Sequence, residues 1–257
     1  TLALKTMVQR TLHNSAGFTG IEMNRRILGW GGVPDFESIE DAYCRSIAER
    51  RCLTFGRYLI LNANRFQDIG EFTRAADLWG MTSVARVNLN LPGVIYRTLD
   101  QGAQAIVVPH VNTAEEAYAV VEASKFAPVG GRGSYTSRQG IGVDDYFTTA
   151  NNETMAIVLI EDIVAINNLD EILKVDHIDV FFVARTDLAQ SMGLVGQPAH
   201  PEVDAIVDRA IEQIVAAGRV PGTIVTSATV AEYVEKGVGF LNVNYTPWLM
   251  SGAEGFL

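Results

Sequence analysis

From residue 58 onward the chain repeats one pattern: a short apolar run, a turn, then a stretch with helical spacing. That alternation constrains the fold more than any other feature. Strands that are apolar throughout are covered on both faces, and strands separated by helices run parallel. Tyr58 to Leu61, Val84 to Val87, Ala105 to Val108, Met155 to Ile160, Ile178 to Val183, Gly222 to Val225 and Gly239 to Val243 read as strands, with a first one near Phe18 to Met23. Between them, Phe66 to Trp79, the stretch to Leu99, Asn112 to Phe126, a short segment around Tyr146, Ile163 to Leu173 and Pro201 to Ala217 read as helices. Thr113 and Glu116 have capping-box spacing at the head of one of them. Eight strand–helix units in 257 residues predict a closed (β/α)8 TIM barrel, a single α/β domain over residues 1–257. No Gly-x-Gly-x-x-Gly follows a strand, which counts against a Rossmann domain.

With 48% hydrophobic and 19% charged residues, the chain has enough apolar material for a large core. A net charge of −10 without any basic run argues against a nucleic-acid partner. The two cysteines, Cys44 and Cys52, form no Cys-x-x-Cys and read as reduced thiols. No apolar stretch approaches membrane-spanning length, and Thr1 to Arg10 lacks the pattern of a signal peptide. The expectation is a cytoplasmic protein that works on small molecules, away from membranes.

In a parallel α/β barrel, chemistry gathers at the carboxyl ends of the strands. The polar residues expected there are Asn62, Asn64, Arg65, Arg86, Asn88, His110, Glu161, Arg185, Thr186, Asp187, Thr226, Asn242 and Asn244. Glu161 and Asp187 end neighbouring strands. Two carboxylates meeting at one mouth repel, and a hard divalent cation is the usual remedy. Either acid on its own also suits the cap of the helix that follows. Arg86 leaves an apolar strand directly, a position suited to holding a substrate carboxylate or a developing enolate oxygen, or to an ion pair with Glu161. His110 is a base or a plain loop residue, and His177 precedes its strand and reads as structural. Gly130-Gly131-Arg132-Gly133 is either an anion-binding loop or a mobile one.

Several longer motifs resemble one known family in order and spacing. They are Val84-Ala-Arg-Val, Asp100-Gln-Gly-Ala-Gln-Ala-Ile-Val-Val-Pro-His-Val, Ala114-Glu-Glu-Ala, Ala127-Pro-Val-Gly-Gly-Arg-Gly, Asp145-Tyr-Phe, Leu159-Ile-Glu-Asp, Thr186-Asp-Leu-Ala-Gln-Ser-Met-Gly and His200-Pro-Glu-Val. The stretch from about Asp68 to Val243 is similar to the HpcH/HpaI-type class II pyruvate aldolases, the family of hydroxy-oxo-heptanedioate aldolase and macrophomate synthase. The resemblance implies a metal-dependent carbon–carbon lyase acting on a 2-oxo acid and an aldehyde through a pyruvate enolate, assembled as a homo-oligomer, trimer or hexamer. Glu161 and Asp187 would ligate the divalent metal, Mg²⁺ first and Mn²⁺, Co²⁺ or Zn²⁺ as alternatives. Arg86 would steady the enolate, and the Thr186–Asp187 turn would bind the substrate carboxylate. Asp100 would match the acid that supports the family's histidine base.

The chain departs from that pattern. Asn64-Arg65 stands where the family has an acidic residue and the histidine, so Asp100 is expected to face Arg65. Leu159 replaces a substrate-contacting glutamine, and Ala184-Arg185 replaces Gly-Pro. An arginine stays protonated at neutral pH and cannot serve as the base. An oxaloacetate-type decarboxylase, which needs no such base, is therefore a second expectation. A non-catalytic barrel that binds a metal or an oxo acid is a third.

Overall fold

The computed structural model describes residues 69–78, 80–134 and 138–244. Residues Thr82–Val243 form one compact unit, which carries the sheet and the site. Helix α1 (Ile69–Leu78) belongs to a second unit and is described by itself: Gly70, Thr73, Ala75 and Ala76 are its buried residues.

In chain order the first unit contains β1 (Val84–Arg86), α2 (Pro92–Asp100), β2 (Ala105–Val108), α3 (Ala114–Ser124), a 3-10 turn (Arg138–Gly140), α4 (Tyr146–Glu153), β3 (Met155–Ile160), α5 (Ile163–Asn167), α6 (Leu169–Ile172), β4 (Val180–Val183), α7 (Arg185–Ser191), α8 (Pro201–Ala216), β5 (Pro221–Val225), α9 (Val230–Glu235) and β6 (Phe240–Val243). The strands form one parallel sheet in the order β1-β2-β3-β4-β5-β6. Each pairs with the next in the chain; Val107 lies opposite Ile157, Leu159 opposite Phe182, and Ile224 opposite Asn242.

The closed eight-stranded barrel is not what forms. The sheet has six strands among the described residues, and β1 and β6 are its edges, with no pairing between them. The expected strands at 18–23 and 58–61 lie outside the described residues. Closure depends on pairing the last strand with the first, and apolar runs counted along a sequence carry no information on that. The fold is a barrel-like parallel α/β half-barrel.

Burial follows position in the sheet. Every residue of β4 and all of β3 after Met155 are buried, whereas Val84, Arg86, Asn242 and Val243 on the edge strands are exposed. Thr223 is buried inside β5, where its Oγ1 donates to the Val183 carbonyl at 3.0 Å, so the hydroxyl is satisfied across the sheet. Gly222 faces Phe182; a Cβ there would stand 2.7 Å from the ring and 3.2 Å from the Phe240 carbonyl.

Thr113 caps α3 by accepting from the Glu116 amide at 3.2 Å. The Glu116 carboxylate reaches back to the Asn112 amide at 2.6 Å, so the capping box closes one residue earlier than its spacing suggests. The single helix expected from Ile163 to Leu173 is broken at Asn168, whose side-chain amide donates to the Asn112 carbonyl at 2.8 Å. In the Gly-rich loop after α3 the N–H groups of Gly131 and Arg132 and the Arg132 guanidinium are engaged within the protein, so they do not form an open anion cradle. Gly131 and Arg132 donate backbone N–H groups to the Glu122 and Lys125 carbonyls, and the buried Arg132 side chain packs over Phe126 and pairs with Asp100 at 2.9 Å. A Cβ on Gly130 would meet the Lys125 carbonyl oxygen at 2.6 Å, which restricts that position to glycine.

Candidate active site

A cavity of about 630 Å³ opens at the carboxyl ends of the strands. Its polar wall is Arg86, Glu161, Thr186, Asp187 and Asn242, from the ends of β1, β3, β4 and β6. Its apolar wall includes Val107, Leu159, Phe182, Ala184, Ile224 and Phe240. The strand pleat sets this division: Leu159 and Glu161 lie two residues apart on β3 and its exit, on one face of the strand.

Glu161 is almost completely buried, its side chain 1% exposed. Oε1 accepts the His110 amide at 2.9 Å and lies 4.0 Å from Arg86 Nη2, while Oε2 has no hydrogen-bond partner among the described residues. Burial pushes the Glu161 carboxyl above the usual carboxylate range. The His110 amide and the charges of His110 and Arg86 oppose that shift, and the negative charge of Asp187 adds to it. The Arg86 side chain is 54% exposed and lines the cavity, so the ion-pair and substrate-facing readings of this residue meet in one geometry.

Neither acid is a helix cap. α7 begins at Arg185 with Ala184 at the N-cap, which puts Asp187 inside the first turn. α5 has Asp162 at its N-cap, one residue beyond Glu161. The capping alternative therefore falls away for both. Helix α7 makes its first backbone bond from Leu188 to Ala184, so the amides of Thr186 and Asp187 have no intrahelical acceptor.

Asp100 and Arg185 do not line this cavity. Asp100 ends α2 and pairs with Arg132, with Oδ2 left without a partner among the described residues. Arg65, its expected companion, lies outside the described residues. Arg185 turns away from the cavity: it donates to the Tyr233 hydroxyl at 2.5 Å and pairs with Asp204 at 3.1 Å, tying α7 to α8 and α9. Together with Thr226, Thr229 and Lys236 it lines a second, smaller cavity.

His110 was open between base and loop residue. Its Nδ1 lies 3.0 Å from Asp162 Oδ2 and 3.5 Å from Glu161 Oε1. The hydrogen bond to Asp162 raises its pKa, burial opposes this, and the charges of Glu161, Asp162 and Asp187 add to the rise. The pair of consecutive acids Glu161-Asp162 opposite a histidine was the available signal, and it is invisible without knowing that β2 and β3 are neighbours. Among the described residues, no group of three or more His, Cys, Asp or Glu side chains is arranged so that it could hold a metal ion by itself.

A parallel sheet that brings acids and an arginine to the carboxyl ends of its strands is the build of an α/β enzyme. Residues 64–247 match the HpcH/HpaI aldolase/citrate lyase family, and the chain belongs to that family of carbon–carbon lyases. The 4-hydroxy-2-oxo-heptane-1,7-dioate aldolase of Salmonella dublin is 40% identical over 197 residues, 74% of this chain and 75% of that protein. Among solved structures, an HpcH/HpaI aldolase/citrate lyase family protein of Burkholderia cenocepacia J2315 has a TM-score of 0.67 at 25% identity, covering 74% of this chain and 78% of that one. The HpcH/HpaI aldolase of Desulfitobacterium hafniense DCB-2 has a TM-score of 0.65 at 25% identity, over 73% and 76% of the two chains. The family resemblance carried by the sequence motifs is borne out.

Proposed function

We propose that the chain is a divalent-metal-dependent aldolase that makes or breaks a carbon–carbon bond beside a 2-oxo acid, with pyruvate or a pyruvate-like acid as one partner and an aldehyde as the other. One observation carries this reading: the buried Glu161, with Oε2 unpartnered, shares a cavity wall with Asp187 and Arg86. A carboxylate withdrawn from water beside a second acid is costly unless a cation compensates. The oxygen donors of Glu161 and Asp187 suit a hard ion such as Mg²⁺ or Mn²⁺, so the residues fit the group. Bound there, a divalent ion supplies Lewis acidity toward the oxygens of the oxo acid.

The remaining tasks fall to the chain itself. Arg86 offers a planar array of N–H donors on the cavity wall and steadies the negative charge that develops on the keto oxygen as the enolate forms. The amides of Thr186 and Asp187, which have no acceptor within their own helix, receive the substrate carboxylate in this reading. Leu159, Phe182 and Phe240 line the same cavity with apolar surface, which lowers the local polarity and strengthens these interactions. Assembly as a homo-oligomer and a cytoplasmic location belong to the same reading; light scattering on the purified protein tests the first. Among the described residues, no helix is long and apolar enough to cross a membrane.

A second reading is loss of CO₂ from an oxaloacetate-like acid, favoured by Arg65 at the position of the family's base, because decarboxylation requires no proton acceptor. EDTA-treated protein is expected to act on 4-hydroxy-2-oxo acids and oxaloacetate only after Mg²⁺ or Mn²⁺ is restored. Turnover that survives EDTA sinks the metal-dependent reading. CO₂ release from oxaloacetate without cleavage of any hydroxy-oxo acid selects the decarboxylase.

A further inference from the structure

The orientation of Glu161 is set by the residue that ends the neighbouring strand. His110 follows β2 with a φ of 53°, in the left-handed region that non-glycine residues seldom occupy. That conformation lets the chain turn out of β2 while the Pro109–His110 peptide keeps its N–H on Glu161 Oε1, 2.9 Å away. The ring, held by Asp162 at 3.0 Å, stands 3.5 Å from the same oxygen, and Arg86 approaches it too, at 4.0 Å. All these approaches are to Oε1. Oε2 is buried with no hydrogen-bond partner among the described residues.

We propose that His110 is a positioning residue for Glu161: its left-handed backbone fixes Oε1 with an amide N–H and leaves Oε2 as the oxygen the carboxylate offers to a divalent cation. The inference rests on the assignment of Glu161 as a metal ligand. The strain of a positive φ persists only where surrounding structure holds it, and the buried hydrogen bond supplies that hold. A residue that resists a positive φ would force the Pro109–His110 peptide to rotate if the chain after it is to keep its course, and the carboxylate would lose the N–H that fixes it.

Mn²⁺ binding to the full chain without substrate, read by EPR of the free ion, tests this in the parent and in His110→Gly, His110→Ala, His110→Val and Glu161→Gln. Glycine takes a positive φ without penalty, alanine with some, and a β-branched residue with the most. Affinity is expected to fall in the order Gly, Ala, Val, with the valine variant about tenfold or more weaker than the glycine variant. Equal affinities across the series overturn the proposal. A glycine variant as weak as the valine one also overturns it, since the ring and not the backbone would then hold the carboxylate. If the valine variant does not fold, the Gly–Ala comparison decides. Glu161→Gln separates the two levels: unchanged Mn²⁺ affinity there removes Glu161 from the ligand set, whereas lost affinity alongside three equal His110 variants removes only the positioning role.

Discussion

Arg86 is a charge at the end of an apolar strand, half in solvent and within 4.0 Å of a buried acid. In the proposed function its worth to catalysis depends on planar, directional N–H groups as much as on charge. Arg86→Ala is expected to lower kcat/KM toward the 2-oxo acid by about 10²–10³-fold, and Arg86→Lys to recover only a small part, both by steady-state kinetics with saturating metal. At the other end of the sheet, Lys125 is buried and donates to the Asn151 carbonyl at 2.8 Å and to the Thr154 carbonyl, with Asp179 at 3.7 Å. Burial lowers its pKa below the usual 10.5, against the pull of Asp179. The folded state thus releases this proton before the unfolded state does. The burial penalty is in full force below the lowered pKa and is relieved as pH rises toward 10.5. Relative to Lys125→Met, the parent should gain stability as pH rises toward 10.5, by urea unfolding; a constant difference contradicts this. At this scale Arg86, Glu161 and Asp187 were legible, because a charge that closes an apolar run stands out. The partner of Asp100 and the task of His110 were not, since one depends on where a loop returns and the other on the sign of a backbone angle.

Elements were read well where burial alone decides them. β2 and β3 fall on the predicted residues, and β5 and β6 within one of them, because continuous apolar runs admit little else. Helices were read less well where a tertiary bond intervenes, as Asn168 does between α5 and α6. The packing of β4 on β5 turns on a missing methyl group: Phe182 fills the space above Gly222. Gly222→Ala forces the ring toward the cavity or the strands apart. It is expected to cost about 1–3 kcal/mol in urea unfolding and to raise KM for the oxo acid; a neutral outcome in both would mean that the sheet gives way more easily than a close-packed core does.

For the whole molecule, a sheet with its acids gathered at one rim predicts linkage between stability and cation binding. Mn²⁺ at about a hundred times its dissociation constant should stabilise the chain by about 2.7 kcal/mol in thermal or urea unfolding, and the gain should vanish in Glu161→Ala. The architecture was legible as parallel α/β, and so was the gathering of Arg86, Glu161, Thr186, Asp187 and Asn242 around one cavity at the strand exits. The closed ring of eight was not, because edge-to-edge pairing leaves no trace in a hydrophobic pattern. The hold of the His110 amide on Glu161 has one more outcome, in ionic selectivity. An acid with one oxygen already engaged has no chelating bite. With Glu161 as the proposed ligand, calcium, large and accustomed to carboxylates that grip with both oxygens, is expected to bind more weakly than Mg²⁺ or Mn²⁺. A small ion that keeps its own hydration shell and asks one oxygen of each acid gives up almost nothing, and should displace calcium with ease.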